Sequence, residues 1–280
     1  MAKKKVGLAL SGGGAKGLAH IGVIQALTEA KILISYIAGT SMGALVGAWY
    51  AIGEDMQELE DLFLDFKKSE LFFLQQILLK KRNLLARTST AQAIMRRFEG
   101  RTIESAKIPL AIVATDVQTG DDVVMRSGDI IPALRASISL PIIFPPVQHG
   151  EQILIDGGFS NPVPADVVRA MGAGYVIAVD VASRWIDLSK ISRVRDISSL
   201  VANSLLLIEY QIAKRTLKDA DLVIRPPVLE HKLLDFRNSF DIIQAGARET
   251  RRHLEALYTA TGRHEPTRGP IRKFFESIFE

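Results

Sequence analysis

Residues 6–47 read VGLALSGGGAKGLAHIGVIQALTEAKILISYIAGTSMGALVG, and this stretch decides the fold class. The apolar run from Val6 to Leu10 predicts a short buried strand, and a glycine-rich loop then leads into a helix from about 17 to 31. A second apolar run, Ile34 to Ala38, is again followed by glycines and a helical segment. Two successive strand–loop–helix units predict parallel strands with helices packed against them.

The same alternation continues along the chain. Further strands are predicted at about 110–116, 122–125, 153–155, 175–181 and 222–224, and further helices at about 43–53, 56–68, 89–98, 130–137, 165–171, 191–218 and 241–258. The predicted fold class is therefore α/β, with three α/β/α layers around a mostly parallel central sheet. The sequence contains no internal repeat or linker, so we predict one domain over 1–262, with a motif-bearing core at 6–181, and a C-terminal tail at 263–280.

The composition is that of a globular protein. Of 280 residues, 48% are hydrophobic and 24% are charged, which excludes a disordered chain. The lack of cysteine excludes disulfides and thiolate metal sites. No apolar run reaches the roughly 18 residues of a membrane span, and glycines interrupt the apolar stretch near the start before a signal peptide could form. We expect a cytoplasmic protein, with peripheral contact at the inner membrane left open.

Positive charge is concentrated in one segment. The net charge is +4, but residues 67–107 contain ten basic and three acidic side chains. Such an excess indicates an anionic partner. Because LFFLQQILL at 71–79 lies in the same segment, the pattern favours an anionic lipid surface over nucleic acid. Residues 71–85 are expected either to form a mobile cap or to pack over the sheet as an ordinary helix.

The first glycine motif is Gly12-Gly13-Gly14 followed by Lys16 and Gly17. Its spacing matches a dinucleotide fingerprint, but that reading also requires an acid at the end of the second strand, and none is present. The bare N–H groups at a helix start remain suited to a phosphate or a transient oxyanion. A tight strand-to-helix turn is the simpler alternative, although three consecutive glycines exceed what a turn needs.

The second motif, Gly39-Thr40-Ser41-Met42-Gly43, lies between a predicted strand and a predicted helix. In this G-x-S-x-G setting the glycines permit a sharp turn that exposes the serine hydroxyl, so a nucleophile is favoured over a plain turn.

The third motif, Asp156-Gly157-Gly158, follows the apolar strand at 153–155. An acid at the end of a strand, with glycines leaving space beside it, is suited to a site. A turn-forming Asp-Gly pair is an equally good interpretation of this motif alone.

A serine nucleophile requires a base, and the chain offers five histidines: His20, His149, His231, His253 and His264. His253 is predicted on a helix surface and His264 in the tail. His20 is expected to pack or to form a hydrogen bond, while His149 is the hardest to dismiss. An aspartate can also serve, because burial raises its pKa towards neutral pH.

Several segments together resemble the patatin-like phospholipases. They are ALSGGGAKGLAHIGVIQAL at 9–27, AGTSMGALVGA at 38–48, RASISLPIIFPPV at 135–147 and IDGGFSNPVP at 155–164. The resemblance runs from about 6 to 181 and weakly to 227. It is strongest to small bacterial members of the group that includes the neuropathy-target-esterase relatives.

This resemblance implies a serine lipid acyl hydrolase of the phospholipase A, lysophospholipase or carboxylesterase type. Ser41 is then the nucleophile, Asp156 the base of a Ser–Asp dyad, and the N–H groups of Gly12 to Gly14 the oxyanion hole. The other motif residues implied to support the site are Lys16, Gly17, Gly39, Gly43, Gly157 and Gly158. For Lys16 a structural tie and a contact to substrate phosphate are equally open. The resemblance implies no metal and no cofactor, and a lipid or fatty-acyl ester as substrate.

Two other classes stay open. An acyltransferase acting through the same serine is one, because malonyl-CoA transacylases share an early G-x-S-x-G on a related sheet but use a histidine partner. A non-catalytic lipid-binding regulator is the other, although binding alone requires neither the serine nor the acid.

Overall fold

The computed structural model describes residues 4–66, 90–141, 143–182 and 197–262. The strands are β1 Val6–Leu10, β2 Ile34–Thr40, β3 Leu110–Asp116, β4 Asp122–Met125, β5 Val147–His149, β6 Gln152–Asp156, β7 Tyr175–Val179 and β8 Leu222–Ile224. The α-helices are α1 Ala19–Glu29, α2 Met42–Ala51, α3 Met56–Leu64, α4 Thr90–Arg96, α5 Ile130–Ser137, α6 Ala165–Ala170, α7 Ile197–Thr216, α8 Ser239–Arg252 and α9 Leu254–Thr261. Short 3-10 turns lie at Gly14–Leu18, Ile103–Ser105, Gly157–Phe159, Leu217–Asp219 and Phe236–Asn238.

The strands form one eight-stranded sheet within the described residues. Its order is β5-β6-β3-β2-β1-β7-β8, with β4 also paired to β3. Strands β3, β2, β1, β7 and β8 run parallel, whereas β4, β5 and β6 pair antiparallel. The parallel strands carry their carboxyl ends to one edge, which is where open α/β sheets place their sites.

Side chains of alternate strand residues enter two separate cores, as the two-residue period of a strand requires. Leu8 and Leu10 of β1 belong to a core with α1, α2 and α8, whereas Ala9 between them belongs to a core with α6 and Ala213 of α7. Helices therefore cover both faces of the sheet, and the predicted three-layer α/β/α arrangement is confirmed.

Helices α1 and α8 approach each other closely because glycines lie at their crossing. A side-chain carbon added to Gly22 would be 1.9 Å from the carbonyl oxygen of Ile243, and one added to Gly246 would be 2.0 Å from that of Ala19. Backbone thus contacts backbone at this crossing, and any side chain here would force the helices apart.

Several predicted elements differ in the structure. The helix predicted at about 17–31 starts with the 3-10 turn Gly14–Leu18 and ends at Glu29, and the helix predicted to 68 ends at Leu64. The predicted helix at 241–258 is two helices that meet at His253, and the short strand β5 was not predicted. Residues 67–89, 191–196 and 263–280, which carry the predicted cap, part of a predicted helix and the tail, lie outside the described residues. The division into a domain and a tail stays a prediction.

Candidate active site

Ser41 lies on a strained turn between β2 and α2. It is the residue before the first helical turn, and its backbone has φ of 55° and ψ of −121°, a conformation that residues other than glycine rarely adopt. Gly43 permits the turn, because a side-chain carbon there would be 2.4 Å from the carbonyl oxygen of Leu10. The predicted sharp strand-to-helix turn is therefore present.

The hydroxyl of Ser137 holds this turn in place. It accepts a hydrogen bond from the Ser41 backbone N–H at 2.8 Å and donates one to the carbonyl oxygen of Val113 at 2.6 Å. Ser137 is buried at the end of α5. This bridge connects the turn to the neighbouring strand β3 and so stabilises the strained backbone of Ser41.

Strand pairing brings Asp156 to the same place. Thr40 is paired with Val113 of β3, and the next residue of β3, Ala114, is paired with Asp156 of β6. Ser41 and Asp156 therefore lie on either side of one strand. The Ser41 hydroxyl donates a hydrogen bond to Oδ2 of Asp156 at 2.6 Å, the length of a strong O–H···O⁻ bond.

Asp156 is held by bonds to its other atoms. The Gly158 N–H donates to Oδ1 at 2.8 Å, and the Thr115 hydroxyl donates to the Asp156 carbonyl oxygen at 2.9 Å. Burial raises the pKa of the Asp156 carboxyl to about 6, against the lowering effect of the hydrogen bonds from Ser41 and Gly158. A carboxylate of this basicity is ionised at neutral pH and is a better proton acceptor than an exposed aspartate.

The Gly12–Gly14 loop lies beside the serine at the end of β1. Gly13 and Gly14 have φ of 146° and 58°, values that favour glycine. Their N–H groups stand at the start of the 3-10 turn, where the first N–H groups have no partner within the helix. The Gly12 N–H is different, since it donates to the carbonyl oxygen of Pro162 at 3.1 Å.

The prediction for Gly12 as an oxyanion donor therefore changes. The Gly12 N–H is already bonded to Pro162, and Gly12 instead leaves space beside Ser41 because it has no side chain. A carbon added there would be 3.5 Å from Cβ of Ser41. Gly13 and Gly14 remain the candidate donors.

The supporting glycines allow close packing around these turns. A side-chain carbon added to Gly17 would be 2.5 Å from Met42. One added to Gly39 would be 2.5 Å from the Gly43 carbonyl oxygen, and one added to Gly157 would be 2.4 Å from the Val113 carbonyl oxygen. At Gly158 the nearest atom is Oδ1 of Asp156, at 3.2 Å.

Lys16 is buried in the 3-10 turn after the glycine loop. Burial lowers the pKa of its ammonium group, while the charges of Glu209 and Asp180 act in the opposite direction. Facing two carboxyl groups inside the protein, Lys16 has the surroundings of a structural tie, which supports that alternative over a contact to substrate phosphate.

The described histidines have other surroundings. His20 is buried, and its Nε2 lies 2.8 Å from the Ser11 carbonyl oxygen; burial lowers the pKa of its ring to about 4. His149 is exposed on β5, and His253 lies 3.4 Å from Glu249. His231 follows β8 in a loop and is half-buried, and His264 lies outside the described residues. The Ser41 hydroxyl donates its hydrogen bond to the carboxylate of Asp156 and not to one of these histidines.

Three residues near the site were not singled out from the sequence: Ser137, Thr115 and Glu209. Ser137 lies in the segment 135–147, which resembles relatives, but nothing in its sequence assigns a role to its serines. Glu209 interrupts the apolar run at 205–208, and a single acid in such a run was the available signal. The role of Thr115 depends on strand pairing and had no sequence signal.

Comparison with known proteins fits this geometry. Residues 8–169, more than half of the 280, match the family model described as patatin-like phospholipase. The chain belongs to the patatin-like phospholipase family. The predicted family is thus confirmed.

Relatives of the patatin-like chain include much longer proteins. An uncharacterized NTE family protein of Mycobacterium tuberculosis is 38% identical over 66% of this chain and 32% of its own length. The human patatin-like phospholipase domain-containing protein 6 is 29% identical over 86% of this chain and 20% of its own length. The chain therefore spans about a third or less of these relatives.

A solved structure shares the fold at low sequence identity. VipD from Legionella pneumophila matches with a TM-score of 0.54 and 15% identity, over 91% of this chain and 67% of VipD. At this identity the similarity concerns the fold alone. In the described part of the patatin-like chain, no helix combines the length and the apolar character needed to cross a membrane.

Proposed function

We propose that this chain is a serine lipid acyl hydrolase that works through a Ser41–Asp156 dyad and an acyl-enzyme intermediate. The observation that carries the proposal is the 2.6 Å hydrogen bond from the Ser41 hydroxyl to the buried carboxylate of Asp156. Membership of a phospholipase family and the strained strand-to-helix turn at Ser41 support the same chemistry.

The proposed first step forms the acyl-enzyme. Asp156 accepts the Ser41 proton while Oγ attacks the ester carbonyl carbon, and the resulting oxyanion is bound by the N–H groups of Gly13 and Gly14. Such a donor is worth about 3–4 kcal/mol in the transition state. The carbon–oxygen bond to the alcohol then breaks, and Asp156 returns its proton to the leaving oxygen.

The second step removes the acyl group. A water molecule loses a proton to Asp156 and attacks the acyl carbon, and the Ser41 oxygen leaves and takes the proton back. The free carboxylic acid departs, and the dyad returns to its first state. The substrate class is a lipid or fatty-acyl ester, as the family description and the names of the relatives suggest.

Covalent labelling tests the nucleophile. After treatment with a fluorophosphonate lipid analogue, intact-mass spectrometry is expected to find one adduct on the wild type and none on Ser41→Ala. Ser127→Ala is the matched control, because this serine is exposed and distant in sequence from the site motifs. An adduct on Ser41→Ala contradicts the assignment. Product analysis of a lipid panel with added glycerol then separates hydrolysis from acyl transfer.

The acid limb of the pH profile reports on Asp156. Since only the ionised carboxylate accepts the serine proton, and its pKa is about 6, kcat/KM is expected to fall below about pH 6. The fall approaches tenfold per pH unit. A profile that stays flat down to about pH 4, the range of an unshifted carboxyl, contradicts a buried Asp156 as the base.

Contact with an anionic membrane through about 67–107 is a further part of the proposal. In its described part, 90–107, Arg97 forms ion pairs with Glu54 and Glu58, and Arg101 pairs with Glu54. These acids lie outside the segment and offset part of its charge. Flotation with vesicles is the test: we expect more binding to anionic than to neutral vesicles, and less at high salt, whereas equal binding contradicts the electrostatic contact.

A further inference from the structure

Helix α7 carries a carboxyl group to the candidate active site. A side-chain carbon added to Gly12 would be 3.9 Å from Oε1 of Glu209 and 3.5 Å from Cβ of Ser41. A carbon added to Gly158 would also be 3.9 Å from Oε1 of Glu209, and 3.2 Å from Oδ1 of Asp156. Oε1 of Glu209 therefore lies close to Gly12, which is next to Ser41, and also close to Gly158, which is next to Asp156.

The charged groups that face Glu209 come from three other elements of the described chain. They are Asp156 after β6, Lys16 in the 3-10 turn and Asp180 after β7. Asp180 is itself 3.4 Å from Nε of Arg225 at the end of β8. On its own helix the residues three and four positions away are uncharged: Leu205, Leu206, Ile212 and Ala213. Among the described residues, the charges that act on Glu209 therefore come from the site and not from the neighbouring turns of its own helix.

These surroundings favour the neutral form of the Glu209 carboxyl. Burial raises its pKa to about 7, the nearby Asp156 and Asp180 act in the same direction, and Lys16 opposes them. Near neutral pH the carboxyl groups of Asp156 and Glu209 therefore carry together either one negative charge, on Asp156, or two.

We propose that Glu209 is a further residue of the substrate site and that it must be uncharged when the ester reacts at Ser41. The inference rests on the proposed hydrolysis. An ester attacked by Ser41 would react close to Oε1 of Glu209, since that oxygen borders the positions of both Gly12 and Gly158. An ionised carboxylate there repels the oxyanion of the tetrahedral intermediate, whereas a neutral carboxyl can donate a hydrogen bond to the ester.

The alkaline limb of the pH profile tests this role. With a water-soluble aryl ester, quenched and read at one fixed pH, kcat/KM of the full wild-type chain is expected to decrease above about pH 7. At about pH 9 roughly one molecule in a hundred has a neutral carboxyl, so activity is expected to be on the order of 50-fold below the maximum of a profile with limbs at about pH 6 and about pH 7. Glu209→Gln, which is neutral at every pH, is expected to keep the acid limb and to lose this decrease.

Glu255→Gln is the matched control, since this glutamate is exposed on α9 and its change is expected to leave the profile as in the wild type. Two results overturn the proposal. One is an alkaline limb in Glu209→Gln equal to that of the wild type. The other is a kcat/KM of Glu209→Gln, at the pH optimum of this variant, more than about tenfold below the wild-type maximum while thermal unfolding is unchanged. A purely structural pair of Glu209 with Lys16 predicts a lower melting temperature with the alkaline limb unchanged.

The outcome for Glu209 can be separated from that of the proposed hydrolysis. Activity that Ser41→Ala removes supports hydrolysis whatever Glu209→Gln does. If the wild type hydrolyses no ester, the rate of fluorophosphonate labelling at about pH 9 decides: faster labelling of Glu209→Gln supports the proposed role of Glu209, and equal rates or no labelling of either protein overturn it.

Discussion

Ser41→Ala is expected to lower kcat for ester hydrolysis about a million-fold, and Asp156→Asn nearly as much. These are the losses that follow when a serine hydrolase loses its nucleophile or its general base. In Ser41→Ala no oxygen is present to form the acyl-enzyme. In Asp156→Asn the serine remains, but its hydroxyl faces an amide that cannot accept its proton.

The loss in Asp156→Asn has a specific structural reason. The Ser41 hydroxyl donates its hydrogen bond to Asp156, whereas His20 lies against the Ser11 carbonyl oxygen and His253 against Glu249, so neither of these rings takes the place of the carboxylate. Steady-state kinetics on a soluble ester measures both variants, with Asp121→Asn, an exposed change, as the control. Asp156→Asn within about tenfold of the wild type rules out the aspartate as the base.

Gly22→Ala is expected to destabilise the fold by about 3 kcal/mol or more, the upper range for overpacking a core. The added carbon would stand 1.9 Å from the Ile243 carbonyl oxygen and 2.8 Å from the Ala247 nitrogen, so helices α1 and α8 must separate. The helix propensity of alanine acts in the opposite direction, by about 1 kcal/mol. The steric cost therefore has to exceed this gain for the protein to become less stable.

Thermal unfolding measures this effect, with an expected decrease of melting temperature on the order of 10 °C. Gly174→Ala is the matched control, because its added carbon would have ordinary contacts at 3.6 Å and beyond, and little change is expected. Equal melting temperatures for the two variants contradict the close backbone contact of α1 and α8.

Much of the fold was accessible from local patterns. The strands at 110–116, 122–125 and 222–224 and the helix at 130–137 have the predicted bounds, because apolar periodicity and turn residues act over a few neighbours. The end of the helix predicted to 68 and the break at His253 were missed, since nothing in the periodicity marks where tertiary packing ends a helix. The strand β5 has only three residues, too few for a pattern.

The motif residues were predicted, but their individual tasks were only partly accessible. The turn at Ser41 follows from Gly39 and Gly43 and is local. The occupied amide of Gly12 depends on Pro162, a residue 150 positions away. The similarity of three glycine motifs to one family carried the assignment further than their spacing did, because each motif alone also fits an ordinary turn.

The alternation of strands and helices, the glycine turns at 12–14 and 39–43 and the family could be predicted from the sequence, because these depend on neighbours in the chain or on residue identity. Tertiary structure was needed to place Ser41 and Asp156, 115 positions apart, in a hydrogen bond across β3. It also decided that Asp156 and Glu209 have raised pKa values. Strand register sets the distance between Ser41 and Asp156, and burial sets the free-energy cost of a charge. Both arise only when distant segments pack together.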